Sequence, residues 1–132
     1  MKKEKRKQVI VYIDFEVLNE ILEIAKYNHP REAILLLRGR SKKNEIHITD
    51  YLIPPFATGG KGFSYFNPYF LPMDFSIIGT AHSHPSGVLK PSIVDLNHGY
   101  GKIMLIMGYP YISERNVAIF SYRGEKLPFK IV

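Results

Sequence analysis

The segment "GTAHSHPSGVLKPSIVD", residues 79–95, decides the fold. With "FSII" before it, its first part is an apolar run ending on two histidines. A loop rich in proline and glycine follows, and the last residues open a helical pattern. A buried strand, a loop and a short helix in that order belong to an α/β domain. On a strand, residues i and i+2 face the same way, so His82 and His84 project together while Ser83 points opposite. Asp95 follows His84 by eleven residues, at the start of the helix. The Pro-Ser-Gly loop allows that helix to fold back over the strand end.

Two imidazoles and one carboxylate make an open zinc site, with three protein ligands and a fourth position for water. The chain contains no cysteine, which removes disulfides, thiolate nucleophiles and every cysteine-based zinc site. A metal hydrolase also needs a proton carrier that is not a ligand. Glu32 stands at the mouth of the apolar run "AILLLRG", where a carboxylate is unexpected. It reaches the site if that strand lies beside the "GTAH" strand. Ser92 is placed to donate a hydrogen bond to an oxyanion. Plainer readings exist for each residue taken alone. A histidine pair can be a wet strand face, Ser-x-x-Asp is also a helix capping box, and Glu32 can pair with Arg31. All of them together, in this order and spacing, favour chemistry.

Outward from this segment, the chain alternates periods. "QVIVYI" reads as a strand. "DFEVLNEILEIAKYNHP" places Leu18, Ile21, Leu22 and Ala25 at helical spacing, with Asp14 as cap and Pro30 marking the end. "EAILLLRG" is a buried strand, "RGRSKKNE" a polar turn and "IHITDYLI" the next strand. "PPFATGGKG" is a loop; its "GGKG", residues 59–62, lacks the spacing of a phosphate loop. "FSYFNPYF" holds five rings in eight residues, and Pro68 argues against a central strand. "SIVDLNHG" is a short helix ended by Gly99, "KIMLIMGYP" and "NVAIFSYRG" are strands, and "KLPFKIV" is a candidate last one. The expectation is a mixed sheet of about six strands, with a long helix early and a short one late.

At 132 residues, a single domain is expected. The net charge of +6 is mostly a leading tail: residues 1–7 hold five Lys/Arg and one Glu, leaving 13 basic and 11 acidic residues elsewhere. This tail reads as a flexible, solubilising end. "QVIVYI" is too short for a secretory core, and no run approaches the roughly 20 apolar residues of a membrane span. A soluble, cytoplasmic protein is expected.

The Glu before an apolar strand, "HSHP", and Ser-x-x-Asp ending in "PSIVD" together resemble the JAMM (MPN+) metalloprotease family. The resemblance extends from the helix before "HPREAILLLRG" to "KIMLIMGYPY", and is that of a small single-domain archaeal form. It implies a cytidine-deaminase-like curved mixed β-sheet, flanked by the long N-terminal helix and the short helix that carries the ligand Asp. His82, His84 and Asp95 match the ligands of one Zn2+ per chain, Glu32 the general acid/base and Ser92 the oxyanion donor. The implied activity is hydrolysis of the isopeptide bond between the C-terminal Gly-Gly of a ubiquitin-like small modifier and a target lysine. The aromatic segment matches an insertion that pairs with the modifier tail, which makes Phe63, Ser64, Tyr65 and Phe66 candidate substrate-binding residues; core or a homodimer face is the plainer reading. Leu35 stands where the family often has glycine. A true deaminase is excluded, since its zinc site needs cysteines.

Two other functions remain open. One is a related metal hydrolase that processes sulfur-carrier proteins or acts in DNA repair, which the basic tail would suit. The other is a non-catalytic MPN scaffold, which the filled site positions argue against. His98 reads as a surface residue near Asp95, while His29 and His47 have no partner visible in the sequence.

Overall fold

The structure is a computed structural model and describes residues 8–54, 58–60, 63–65, 76–97 and 101–132. Its elements run β1 (Ile10–Ile13), α1 (Phe15–Asn28), β2 (Ile34–Lys42), β3 (Glu45–Leu52), β4 (Thr58–Gly60), β5 (Phe63–Tyr65), β6 (Ile77–His84), α2 (Ile93–Asn97), β7 (Ile103–Gly108), β8 (Val117–Ser121), β9 (Lys126–Leu127) and β10 (Phe129–Ile131). Eight strands form one mixed sheet in the order β10-β1-β3-β2-β6-β7-β8-β9, and β4 and β5 form a separate two-stranded ribbon. The main sheet is therefore wider than the six strands expected. The surplus comes from the C-terminal "KLPFKIV", which splits at Pro128 into two short strands on opposite edges. Proline has no N–H to give to a ladder, so the strand breaks there.

Helix α1 packs as its spacing predicts. Val17, Leu18, Ile21, Leu22 and Ala25 are buried against Leu35, Leu37, Ile78 and Leu105 in the main core. Leu35, at the position where a glycine is common in the resembled family, is a buried part of this core. The opposite sheet face carries smaller clusters. One joins Ile34, Leu36 and Ile77; another joins Met104, Ile106, Ala118 and Phe120 with Leu89, Leu96 and Tyr122. This second face holds His82, which pairs with Ile34 on one side and Ile106 on the other. Strands β6 and β7 run parallel and touch closely: a Cβ on Gly79 would stand 2.2 Å from the Ile103 carbonyl oxygen, so only glycine fits.

Three local readings need correction. "RGRSKKNE" is not all turn: β2 continues to Lys42 and pairs with Glu45, so only Lys43 and Asn44 turn, with Lys43 at φ 43°. Its polar side chains mark strand faces that reach water, not a loss of pairing. "GGKG" is not a plain loop: Gly59 and Gly60 lie in β4, opposite Ser64 and Phe63 of β5. Asp14 occupies the N-cap of α1 but makes no side-chain cap bond. Its Oδ1 instead accepts from His47 Nε2 at 2.7 Å, because β1–β3 pairing sets Tyr12 beside His47. The tail 1–7, Phe66 with the rest of the aromatic run to Phe70, and His98 with Gly99 lie outside the described residues. Among the described residues, no helix is long and apolar enough to cross a membrane.

Candidate metal centre

The site forms where β6 ends. Strand β6 is buried along its whole length, so its two terminal imidazoles arrive on a rigid support. His82 and His84 keep 6 % and 9 % of their exposure, and Asp95 keeps 9 %. Burying three titratable groups is costly unless they satisfy one another or hold an ion, and the geometry answers that need.

Helix α2 begins with a reciprocal cap. Ser92 N–H donates to Asp95 Oδ2 at 2.8 Å, and Asp95 N–H donates to Ser92 Oγ at 3.0 Å. Sequence allowed two readings of Ser-x-x-Asp, cap or chemistry, and the same atoms serve the cap while facing the histidines. Asp95 Oδ2 lies 3.0 Å from His84 Nε2, and Asp95 Oδ1 lies 3.6 Å from His82 Nδ1. The far ring nitrogens are also engaged. His84 Nδ1 donates to the Val88 carbonyl at 2.9 Å. His82 Nε2 meets Thr80 Oγ1 at 3.1 Å, and Thr80 Oγ1 meets the Tyr122 hydroxyl at 3.1 Å. Outer partners of this kind fix the tautomer and orientation of a metal-binding imidazole.

The charges follow from burial and pairing. Burial pushes His82 down to about 4, against the attraction of Asp95 and with the help of His84. Burial also acts to lower His84, but the hydrogen bond to Asp95, the Val88 carbonyl and the charges of Asp95 and Glu32 raise it above its ordinary value. Asp95 is lowered to about 2: burial acts upward and is outweighed by the bonds from His84 and Ser92 N–H and by the two imidazoles. At neutral pH the trio holds a neutral His82 and an ionised Asp95 bonded to His84.

As they stand, no three His, Asp or Glu side chains among the described residues frame an open ion cavity. The carboxylate closes directly on both imidazoles instead. The donor set nevertheless fits a zinc ion: His82 Nδ1, His84 Nε2 and an Asp95 oxygen converge, while both distal nitrogens are already satisfied. A cation held by His84 and Asp95 would take the place of the hydrogen bond between them.

Glu32 stands two residues before β2, half-buried. Strand β2 pairs antiparallel with β6, with Ile34 opposite His82 and Ser83 N–H donating to the Ala33 carbonyl at 3.0 Å. Continuing that register puts Glu32 opposite His84, on the same face. The adjacency required by the sequence argument is present. Ser92 Oγ accepts from Asp95 N–H, which leaves its hydroxyl hydrogen to donate outward. Of the candidate substrate-binding residues, Phe63, Ser64 and Tyr65 form β5, the second strand of the separate ribbon. Thr80, Val88 and Tyr122 are site partners that sequence reasoning missed. Thr80 lies two residues before His82, on the same strand face, and that was the one available signal.

No family model matches the chain. A probable metalloprotease of Haloferax volcanii is 34 % identical over 113 residues, spanning 80 % of this chain and 70 % of that protein. The crystal structure of a JAB1/MPN domain protein from Archaeoglobus fulgidus matches with a TM-score of 0.69 at 31 % identity, over 92 % of this chain and 98 % of that one. A structure described as "JAMM: A Metalloprotease-like Zinc Site in the Proteasome and Signalosome" matches with a TM-score of 0.64 at 33 % identity, over 94 % and 99 %. The solution structure of a Desulfitobacterium hafniense protein, 16 % identical with a TM-score of 0.62 over 92 % of each chain, shares the fold. The eight-stranded mixed sheet, the short helix that carries Asp95 and the relatives above 30 % identity agree: the chain belongs to the JAMM (JAB1/MPN) metalloprotease family.

Proposed function

We propose that the protein is a zinc-dependent isopeptidase that cuts between the C-terminal Gly-Gly of a ubiquitin-like small modifier and a lysine of its target. The observation that supports this reading is the β2–β6 register, Ile34 opposite His82, whose continuation would set Glu32 opposite His84. His82 Nδ1, His84 Nε2 and Asp95 hold the metal. A zinc ion so held supplies a Lewis acid and brings the pKa of a water towards about 7. Glu32 takes a proton from the attacking water and returns it to the departing lysine amine. The Ser92 hydroxyl, steadied by its bond from Asp95 N–H, donates to the oxygen on which negative charge develops. The β4–β5 ribbon supplies a strand edge for an extended modifier tail, whose backbone hydrogen bonds give affinity without bulky side chains. Phe63, Ser64 and Tyr65, which form β5 of this ribbon, are the substrate-binding candidates on it.

The test is hydrolysis of a Gly-Gly-lysine conjugate by zinc-loaded protein. Glu32→Gln keeps the shape and removes the proton carrier, so the rate should fall at least about 100-fold with zinc content unchanged by metal analysis. Full activity in this variant would sink the mechanism.

A further inference from the structure

We infer that Ser83 and Tyr111 are positioning residues for Glu32: they clamp the backbone that carries it, with His29 closing the clamp from upstream. The inference rests on Glu32 being the proton carrier proposed above. Glu32 lies just outside the β2 ladder, so the backbone that carries it is fixed by the residues on either side.

Downstream, both backbone polar groups of Ala33 go to one residue. Ala33 N–H donates to Ser83 Oγ at 2.7 Å, and the Ala33 carbonyl accepts from Ser83 N–H at 3.0 Å. The acceptor for Ala33 N–H is a side-chain oxygen where a continued ladder would offer a carbonyl. The clamp therefore depends on a hydroxyl at position 83. Ser83 has no exposure, so water does not substitute for it.

On the upstream side the contacts run through Tyr111, whose side chain belongs to the main core with residues of β6 and β7. Tyr111 is 1 % exposed and sits at φ 59°, a left-handed conformation that bulky residues adopt at a cost and only where the surroundings enforce it. The Tyr111 hydroxyl lies 3.4 Å from His29 Nδ1. The His29 ring stacks on Tyr109 with centroids 4.5 Å apart and meets Tyr111 edge-on at 5.8 Å. His29 is the C-cap of α1. Glu32 thus rides on a short span between His29 and Ala33, and both anchors are tied to the chain where β6 and β7 end. Ser83 points to the strand face opposite the two imidazoles, and Tyr111 is buried in the main core on that side. A displacement of about 1 Å at a reacting group can cost about 100-fold in rate.

The experiment uses the zinc-loaded enzyme, the Gly-Gly-lysine conjugate and a double-mutant cycle. Tyr111→Phe, which removes only the hydroxyl, should lower kcat about tenfold or more with KM and zinc content unchanged. Ser83→Ala should do the same, and Ser83→Thr should restore the rate. On a Glu32→Gln background, Tyr111→Phe should add nothing to the loss. Hydrogen exchange at the Ala33 amide reads the clamp without turnover: fast in Ser83→Ala, slow in Ser83→Thr. Wild-type kcat in Tyr111→Phe, or losses that simply add on the Glu32→Gln background, would overturn the inference. If the zinc-loaded wild type cleaves no conjugate, the functional reading has failed on its own. In that event unchanged Ala33 exchange in Ser83→Ala overturns the clamp, and faster exchange upholds it.

Discussion

Asp95 is the residue on which most of the site converges. One of its oxygens accepts from Ser92 N–H and faces His84 Nε2, and the other faces His82. The state of His84 then sets how metal binding responds to pH. His84 is raised above its ordinary value, so binding a cation through Nε2 must release its proton. Zinc affinity should rise about tenfold per pH unit until pH passes that raised value. His82, neutral down to about 4, contributes no proton in this range. Chelator competition between pH 6 and 8 measures the slope, and a flat profile would remove His84 from the ligand set. The metal-free chain should show the opposite trend. A raised folded pKa stabilises below the unfolded value, and that stability is lost as pH rises through the folded one. Above about pH 6.5, the melting temperature of the apo-protein should fall through the range in which zinc affinity climbs.

Among the elements, α2 has five residues, too few to be stable alone. It persists because Ser92 and Asp95 cap each other. Asp95→Ala should abolish zinc binding and cost about 1 kcal/mol of stability through loss of the cap. Asp95→Asn keeps an acceptor for Ser92 N–H, so it should lose most zinc affinity and little stability. Zinc titration with urea unfolding separates the two effects, and equal stability loss in both variants would mean the cap plays no part. Much of this element was legible beforehand. The shared face of His82 and His84 follows from the two-residue period of a strand, and Ser-x-x-Asp announces a helix start. The helical spacing of Leu18 to Ala25 was equally plain. The clamp on Glu32 was not legible, because its contacts join residues 50 and 82 positions apart and exist only once the strand order is known. The cap expected from Asp14 failed for the same kind of reason: β1–β3 pairing supplied His47 as a competing donor.

For the molecule as a whole, the sheet is closed at one edge by the pairing of β1 with β10. Val11 N–H donates to the Pro128 carbonyl, Phe15 N–H to the Val132 carbonyl, and Val132 N–H to the Ile13 carbonyl. Deleting residues 129–132 keeps the Pro128 carbonyl but removes both Val132 bonds, and should cost about 2 kcal/mol at about 1 kcal/mol for each bond lost. Zinc stoichiometry of the folded protein should not change, because the site lies across β2, β6 and α2. Thermal unfolding with metal analysis checks both, and zinc loss without destabilisation would contradict this division. The width of the sheet was the part of the architecture least readable from sequence, since two- and three-residue strands carry almost no periodic signal. The main core between α1 and the sheet contains neither His82, His84, Asp95, Glu32 nor Ser92. Apart from the Ser92–Asp95 cap of α2, cohesion and chemistry are thus assigned to different residues. A lineage carrying this fold can shed its ligands by drift and keep its shape, since replacing an unfilled, buried polar cluster with apolar side chains is often neutral or stabilising. Selection on turnover would hold His82, His84 and Glu32 in place, while Ser92 and Asp95 are also held by the cap they form.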